Sequence, residues 1–206
     1  MNERLIKSFL FLGLISSAML VTGCGAKSYE KQQFLLDARR TSSATANAQK
    51  NVVEVRRFTI DPAFSGKGLT YRKGEFEYES DFYNEFLLTP DAMVTEKVRN
   101  WLSMSGLVRR VLDPGSYIDP NYVLEGNVVA LYGDFRTPSS PKAVMEIRMF
   151  LLEVQTGSDP VIVFGKTYES SVGIESEGPN GLVEAFNRCL VEILGDLEKD
   201  LAEKLQ

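Results

Sequence analysis

The sequence predicts an α/β fold of the α+β kind: a single mixed, largely antiparallel sheet with two main helices packed on it. Three apolar, β-rich stretches predict the sheet: Tyr122 to Phe135, Ala143 to Gln155 and Val161 to Ser171. They are separated only by TPSSPK (Thr137 to Lys142) and TGSDP (Thr156 to Pro160), and connections this short favour antiparallel neighbours. Two segments repeat apolar residues at helical spacing instead. Val94, Val98, Trp101, Leu102 and Ser105 mark one face, and Leu182, Phe186, Leu190, Ile193, Leu194, Leu197 and Leu201 mark the other.

Along the chain, the first segment reads as a leader. Arg4 and Lys7 outweigh Glu3, and the uncharged run Ser8 to Val21 follows for fourteen residues, the pattern of a signal peptide. A membrane-crossing helix needs roughly 17 to 25 residues. Val21-Thr22-Gly23-Cys24 resembles the bacterial lipobox, in which the signal is cut before the Cys, the thiol takes a diacylglyceryl group and the new amine takes an acyl chain. Only a thiol makes that thioether, and small flanking side chains let the backbone into the processing sites. An ordinary signal peptide with an incidental Cys, or a buried helix, is the alternative. Residues 1–23 are thus expected to be a lipoprotein signal peptide, 24–32 the lipidated N-terminus and tether, and 33–206 one domain. Gly25 after the Cys leans toward the outer membrane, facing the periplasm. The tether Gly25 to Gln32 extends at most roughly 28 Å.

Gln33 to Arg40 is expected to be a first strand, Thr41 to Asn51 a loop, and Val52 to Ile60 a second strand. Tyr71 to Gly74 is expected to be a short strand and turn that form a hairpin with Glu75 to Phe82. In that second arm Phe76, Tyr78 and Ser80 alternate with acidic residues, as on a strand with one wet face. Phe82, Tyr83 and Phe86 extend the aromatic cluster, with packing against a helix or contact with a partner or lipid as its roles. Thr89-Pro90-Asp91 is a helix start, with Thr as N-cap and Pro at the first position, and Gly106 ends the helix. Leu107 to Leu112 follows as a strand, and Met149 to Leu152, apolar at every position, is expected to be covered on both sides. Cys189 lies beside the last helical stripe, where free cysteines behave as small buried hydrophobes.

Composition excludes several chemistries. The chain has no histidine and two cysteines, so Ser/His and Cys/His pairs and His-based metal sites are absent. With Cys24 acylated, Cys189 has no disulfide partner within the chain. The net charge of −5, or −6 once residues 1–23 are removed, gives no footprint for nucleic acid. A hydrolase would have to use carboxylates such as Glu75, Glu77, Glu79 and Asp81, whose alternation a solvated strand face already explains. No catalytic residue and no metal ligand is expected.

The segments VRRFTIDPAFSGKGLTYRKGEFEYESDFYNEFLLTP (Val55 to Pro90) and VTEKVRNWLSMSGLVRRV (Val94 to Val111) resemble the ABC-type transport auxiliary lipoproteins, the PqiC-like group. Tyr71-Arg72, the aromatic strand after it and Pro90 before the helix carry most of the likeness, which runs from Cys24 through the terminal helix. Many members have a Trp between that strand and the proline, where this chain reads FYNEF. The resemblance implies a lipid-anchored periplasmic domain that performs no chemistry. It would work with an MCE-domain protein and with the permease and ATPase of an ABC transporter, moving phospholipid or other hydrophobic molecules between membranes. Its covalent groups would be the diacylglycerol and N-acyl chain on Cys24, and it would dock as a collar, possible as a homo-oligomeric ring. Tyr71, Arg72, Phe82, Tyr83 and Phe86 are the candidate partner-binding residues. An outer-membrane assembly lipoprotein like the plug of the lipopolysaccharide translocon, and a direct lipid carrier, are the other readings.

Overall fold

The computed structural model describes residues 30–43, 50–155 and 157–205. In chain order the strands are β1 (Gln32–Phe34), β2 (Val52–Val55), β3 (Thr59–Ile60), β4 (Gly68–Arg72) and β5 (Tyr78–Phe86). Helix α1 (Pro90–Ser105) follows, then β6 (Arg110–Leu112), β7 (Tyr122–Asp134), β8 (Lys142–Glu153), β9 (Val161–Gly173) and helix α2 (Gly178–Lys204). Among the described residues no helix is long and apolar enough to cross a membrane.

One edge of β7 pairs antiparallel with β8 from Tyr122↔Glu153 to Asp134↔Lys142, and β8 pairs antiparallel with β9, the expected meander. The other edge of β7 takes three short strands in succession, all parallel to it. Val53 of β2 lies opposite Tyr122, Thr59 of β3 opposite Asn127, and Tyr71 of β4 opposite Gly133. Beyond them β6 pairs with β2, β5 with β4, and β1 with β5. The sheet is mixed because the parallel pairings are only two or three residues each, while the meander pairs over most of three long strands.

Both helices cover one face of this sheet. Ala143, Met145, Ile147, Met149 and Leu151 of β8 are buried at alternate positions, as a strand's two-residue period requires. On β7 the register shifts between Val128 and Ala130, so the helix-facing set runs Leu124, Gly126, Val128, then Leu131 and Gly133. The extra residue restores the apolar side chains to the core after half the strand. Gly126 is needed for space: a Cβ there would lie 2.3 Å from the ring of buried Phe58. All seven residues of the α2 stripe are buried, each contributing roughly 1.5 to 3 kcal/mol. Cys189 is buried beside them, and burial pushes its thiol pKa up.

Several expectations need correction. Only Gln32–Phe34 of the first apolar segment joins the sheet. Leu35 to Arg40 keeps its alternation, with Leu36, Ala38 and Arg40 buried, but it lies across the helices: the Asp37 N–H donates to Asn187 and Lys97 pairs with Asp37. Val52 to Ile60 is split into β2 and β3, because Arg56 and Arg57 turn out to Glu125 and Asp91. The second hairpin arm runs Tyr78–Phe86, since residues 74–77 are consumed by the turn. Thr89 sits at the N-cap of α1 but makes no side-chain cap bond, whereas Gly106 does close the helix at φ 75°. The strand after it is Arg110–Leu112. β8 is covered on one face only. Phe150 on the open face is half-buried, lying over Gly165 of β9 where a Cβ would come within 2.8 Å.

Arg40 ties this strap to both helices. Its guanidinium donates to both Glu198 oxygens at 2.8 Å, and the Trp101 indole N–H donates to the same carboxylate at 2.7 Å. The hydrogen bonds from Arg40 hold the Glu198 carboxyl below its ordinary value of 4.5, although partial burial pushes it up. A depressed folded pKa means that the stabilisation is complete above the unfolded value and is lost as pH falls through the folded one. Glu198→Gln is expected to cost about 3 kcal/mol at pH 7, because Arg40 stays buried without its counter-charge. The same variant should lose stability less steeply than the parent as pH falls from about 4.5, with both effects read from urea unfolding across that range.

Candidate functional site

The β4–β5 hairpin carries all five expected binding residues but spreads them over different surfaces, and a single carboxylate shapes it. Between Ser80, opposite Thr70, and Glu85, opposite Gly68, the register shifts so that Asp81 to Asn84 bulge from the strand. Asp81 Oδ1 accepts the backbone N–H groups of Tyr83 and Asn84 at 2.8 and 2.9 Å. Its Oδ2 accepts the Asn84 amide at 2.9 Å and the Tyr71 hydroxyl at 2.8 Å. Burial alone would raise this carboxyl, but the bonds from Asn84, Tyr71 and Tyr83 outweigh it and the pKa falls below 3.8. Gly68 makes room for the bulge, since a Cβ there would stand 2.5 Å from the Asp81 carbonyl oxygen.

The bulge sorts the aromatic residues onto different surfaces. Tyr71 is half-buried on the helix side, edge-on to Phe135 at 5.5 Å, and both burial and Asp81 push its phenol pKa up. Arg72 closes the turn by donating to the carbonyls of Gly74 and Glu75, and its guanidinium lies over the rings of Tyr78 and Tyr132. Phe64, from the short 3-10 turn Pro62–Phe64, stacks on Tyr132 at 5.9 Å and meets Tyr78 edge-on at 6.2 Å. Phe82 and Tyr83 are exposed on the outer edge, their rings perpendicular at 5.2 Å, with the Lys31 ammonium 4.7 Å from the Phe82 centroid.

Phe86 does not belong with them. It is buried against Phe186 of α2, 6.2 Å between centroids, so no partner reaches it while the domain is folded. The parity change introduced by the bulge sends Phe86 inward and Phe82 outward. Sequence reasoning missed Phe64 and Tyr132, which reach the hairpin from other elements and carry no local signal. Val21, Thr22, Gly23 and Cys24 lie outside the described residues.

Helix-side, Tyr71 and Phe135 form one wall of an open groove of about 780 Å³, and Ile174, Gly178 and Pro179 at the start of α2 form the other. The carboxylates that a hydrolase would have to use are engaged or dispersed: Asp81 holds the bulge, Glu79 pairs with Lys73, and Glu75 and Glu77 are exposed in the turn.

No family model matches this sequence, and no curated protein matches it. Its architecture is similar to that of a Xanthomonas campestris protein of family DUF330, with a TM-score of 0.68 at 17% identity over 81% of this chain and 92% of the other. An uncharacterized protein is similar at a TM-score of 0.64 and 11% identity, over 84% of this chain and 99% of its own. The hypothetical protein CT253 from Chlamydia trachomatis follows at 0.51 and 10%, over 75% and 99%. At these identities the likeness is one of fold.

Replacing Asp81 with Ala removes four accepted hydrogen bonds and leaves the Tyr71 hydroxyl without its acceptor. Stability is expected to fall by about 1 to 3 kcal/mol in urea unfolding. Amide exchange should accelerate at Tyr83 and Asn84 while the α2 core stays protected.

Proposed function

We propose that this protein is a non-enzymatic, lipid-anchored accessory component of an ABC/MCE transport system that moves phospholipids or other hydrophobic molecules between the inner and outer membranes. It docks to the MCE-domain protein from the periplasmic side, anchored in the outer membrane through diacylglycerol and an N-acyl chain on Cys24, and assembles as a homo-oligomeric ring. The observation that carries this reading is one coincidence at the N-terminus. A basic start, a fourteen-residue apolar run and Val21-Thr22-Gly23-Cys24 occur together, seven residues before the folded unit that begins at Lys31. Two or three acyl chains give stable anchoring where one does not. A fold held by an apolar core and covered by two helices needs no reactive group to serve as a spacer or collar. The transport role comes from the likeness of Val55 to Pro90 and Val94 to Val111 to the auxiliary lipoproteins. Its physical sense is that each CH₂ exposed to water costs about 0.8 kcal/mol, so a protected route with one end held at a bilayer lowers the barrier to lipid transfer.

Detergent extraction of the native protein and affinity purification should recover the MCE-domain protein, with the permease and ATPase behind it. Recovery of an outer-membrane barrel instead would turn the assignment to an assembly lipoprotein, and recovery of neither would overturn it. Cys24→Ser is expected to abolish the acyl mass at the mature N-terminus and to move the protein from the membrane to the soluble fraction.

A further inference from the structure

Exposed aromatic side chains are concentrated on the hairpin, although several of their rings also touch neighbouring side chains. Phe76, in the turn, is 89% exposed; Phe82 is 69% exposed, and Tyr78 and Tyr83 are 45% and 44% exposed. Single exposed apolar residues are ordinary, but exposed Phe76 at the turn with Tyr78 and Phe82 behind it on one hairpin marks a contact surface.

The direction of the chain says what lies opposite. β1 is parallel to β5, with Gln32 beside Asn84, so the polypeptide comes into the sheet from the side of the hairpin turn. Lys31 stands level with Tyr83, and the turn residue Phe76 is seven positions back along the hairpin. Cys24 is likewise seven positions back from Lys31. Both lengths correspond to at most roughly 25 Å of extended chain. The tether is therefore long enough for the sulfur of Cys24 and the ring of Phe76 to reach one plane.

The geometry points to the β4–β5 hairpin as a second membrane contact, in which the phospholipid surface that holds the acyl chains of Cys24 also takes up Phe76, with Tyr78 and Phe82 toward the headgroups. The proposal rests on the lipidation of Cys24 set out above. Aromatic rings with one apolar body suit the headgroup boundary. The charges specify the lipid: exposed Glu75 and Glu77 flank Phe76, so a zwitterionic surface is favoured over an anionic one. Contact at the hairpin would fix the orientation of the domain, with the start of β7 pointing away from the bilayer.

With Cys24 acylated and Cys189 fully buried, an introduced cysteine is the accessible thiol. The lipidated full-length protein would carry an environment-sensitive nitrobenzoxadiazole label at Glu77→Cys, beside Phe76, or at Tyr117→Cys, in the exposed loop before β7 at the other end of that strand. It would be reconstituted in vesicles of phosphatidylcholine and phosphatidylethanolamine. The expected result is a blue shift of the label at position 77, quenched at least twofold by spin-labelled lipid, with the label at 117 unchanged. Adding Phe76→Ser and Phe82→Ser should abolish the shift while the protein still floats with the vesicles. A floating protein whose label at 77 reports water overturns the proposal and leaves the anchor standing. A blue shift that spin-labelled lipid does not quench means that a second copy covers the hairpin, and it overturns the proposal as well. A protein that does not float overturns the lipidation and the hairpin contact together.

Discussion

The backbone of β7 is the constraint from which the rest of the molecule follows, because its two edges are filled by different kinds of chain. One edge takes β8 in a long antiparallel ladder that opens at Asp134↔Lys142 across a connection of seven residues, so it forms at little loop-closure cost. The other edge takes β2, β3 and β4, a single stretch that follows β7 in parallel and is broken wherever a charged or turn residue must leave the sheet. Without that edge, β6 and β5 have nothing to extend, and β1 has no place at which the chain can enter the sheet. The slip of register at Val129 keeps one face of β7 apolar along its full length, and that face is what α1 and α2 bury.

Polar interactions in this fold act mainly where elements distant in sequence must be held at one place. Arg40 is buried and therefore needs Glu198; the carboxylate in turn accepts from Trp101, so strap, α1 and α2 meet at one charge pair. Such pairs add less net stability than their geometry suggests, and breaking one is costly because a lone buried charge remains. On the opposite flank of the helix layer, Lys166 and Tyr168 of β9 both donate to Asp200 of α2 at 2.7 Å. The terminal helix is thus registered against the sheet at its C-terminal half.

The hairpin shows how a local bond pattern can become a surface. Asp81 accepts four hydrogen bonds that make the bulge, and the bulge reverses which side chains face outward. Phe82 and Tyr83 are exposed for that reason, while Phe86, four residues beyond Phe82, packs against Phe186. The chemistry of this surface is aromatic and half-polar.

Taken alone, the sequence determined what depends on near neighbours. The periods of 3.6 and 2 marked the stripe of α2 from Leu182 to Leu201, the face of α1 and the three strands of the meander, and short polar connections made those strands antiparallel. Gly106 ended its helix by its own backbone freedom. The expectation of a leader ending at Val21-Thr22-Gly23-Cys24 is equally local, being read by residue type at adjacent positions, and it falls outside the described residues. Tertiary structure decided everything that needed a distant partner. Leu35 to Arg40 has the alternation of a strand, yet its partners are helices, because Glu198 and Asn187 are more than a hundred residues away in the chain. Phe64 and Tyr132 joined the hairpin only through the pairing of β4 with β7, and Phe86 went inward only because of the bulge. Periodicity says that a side chain has a side, while the register between remote strands settles which side is the core.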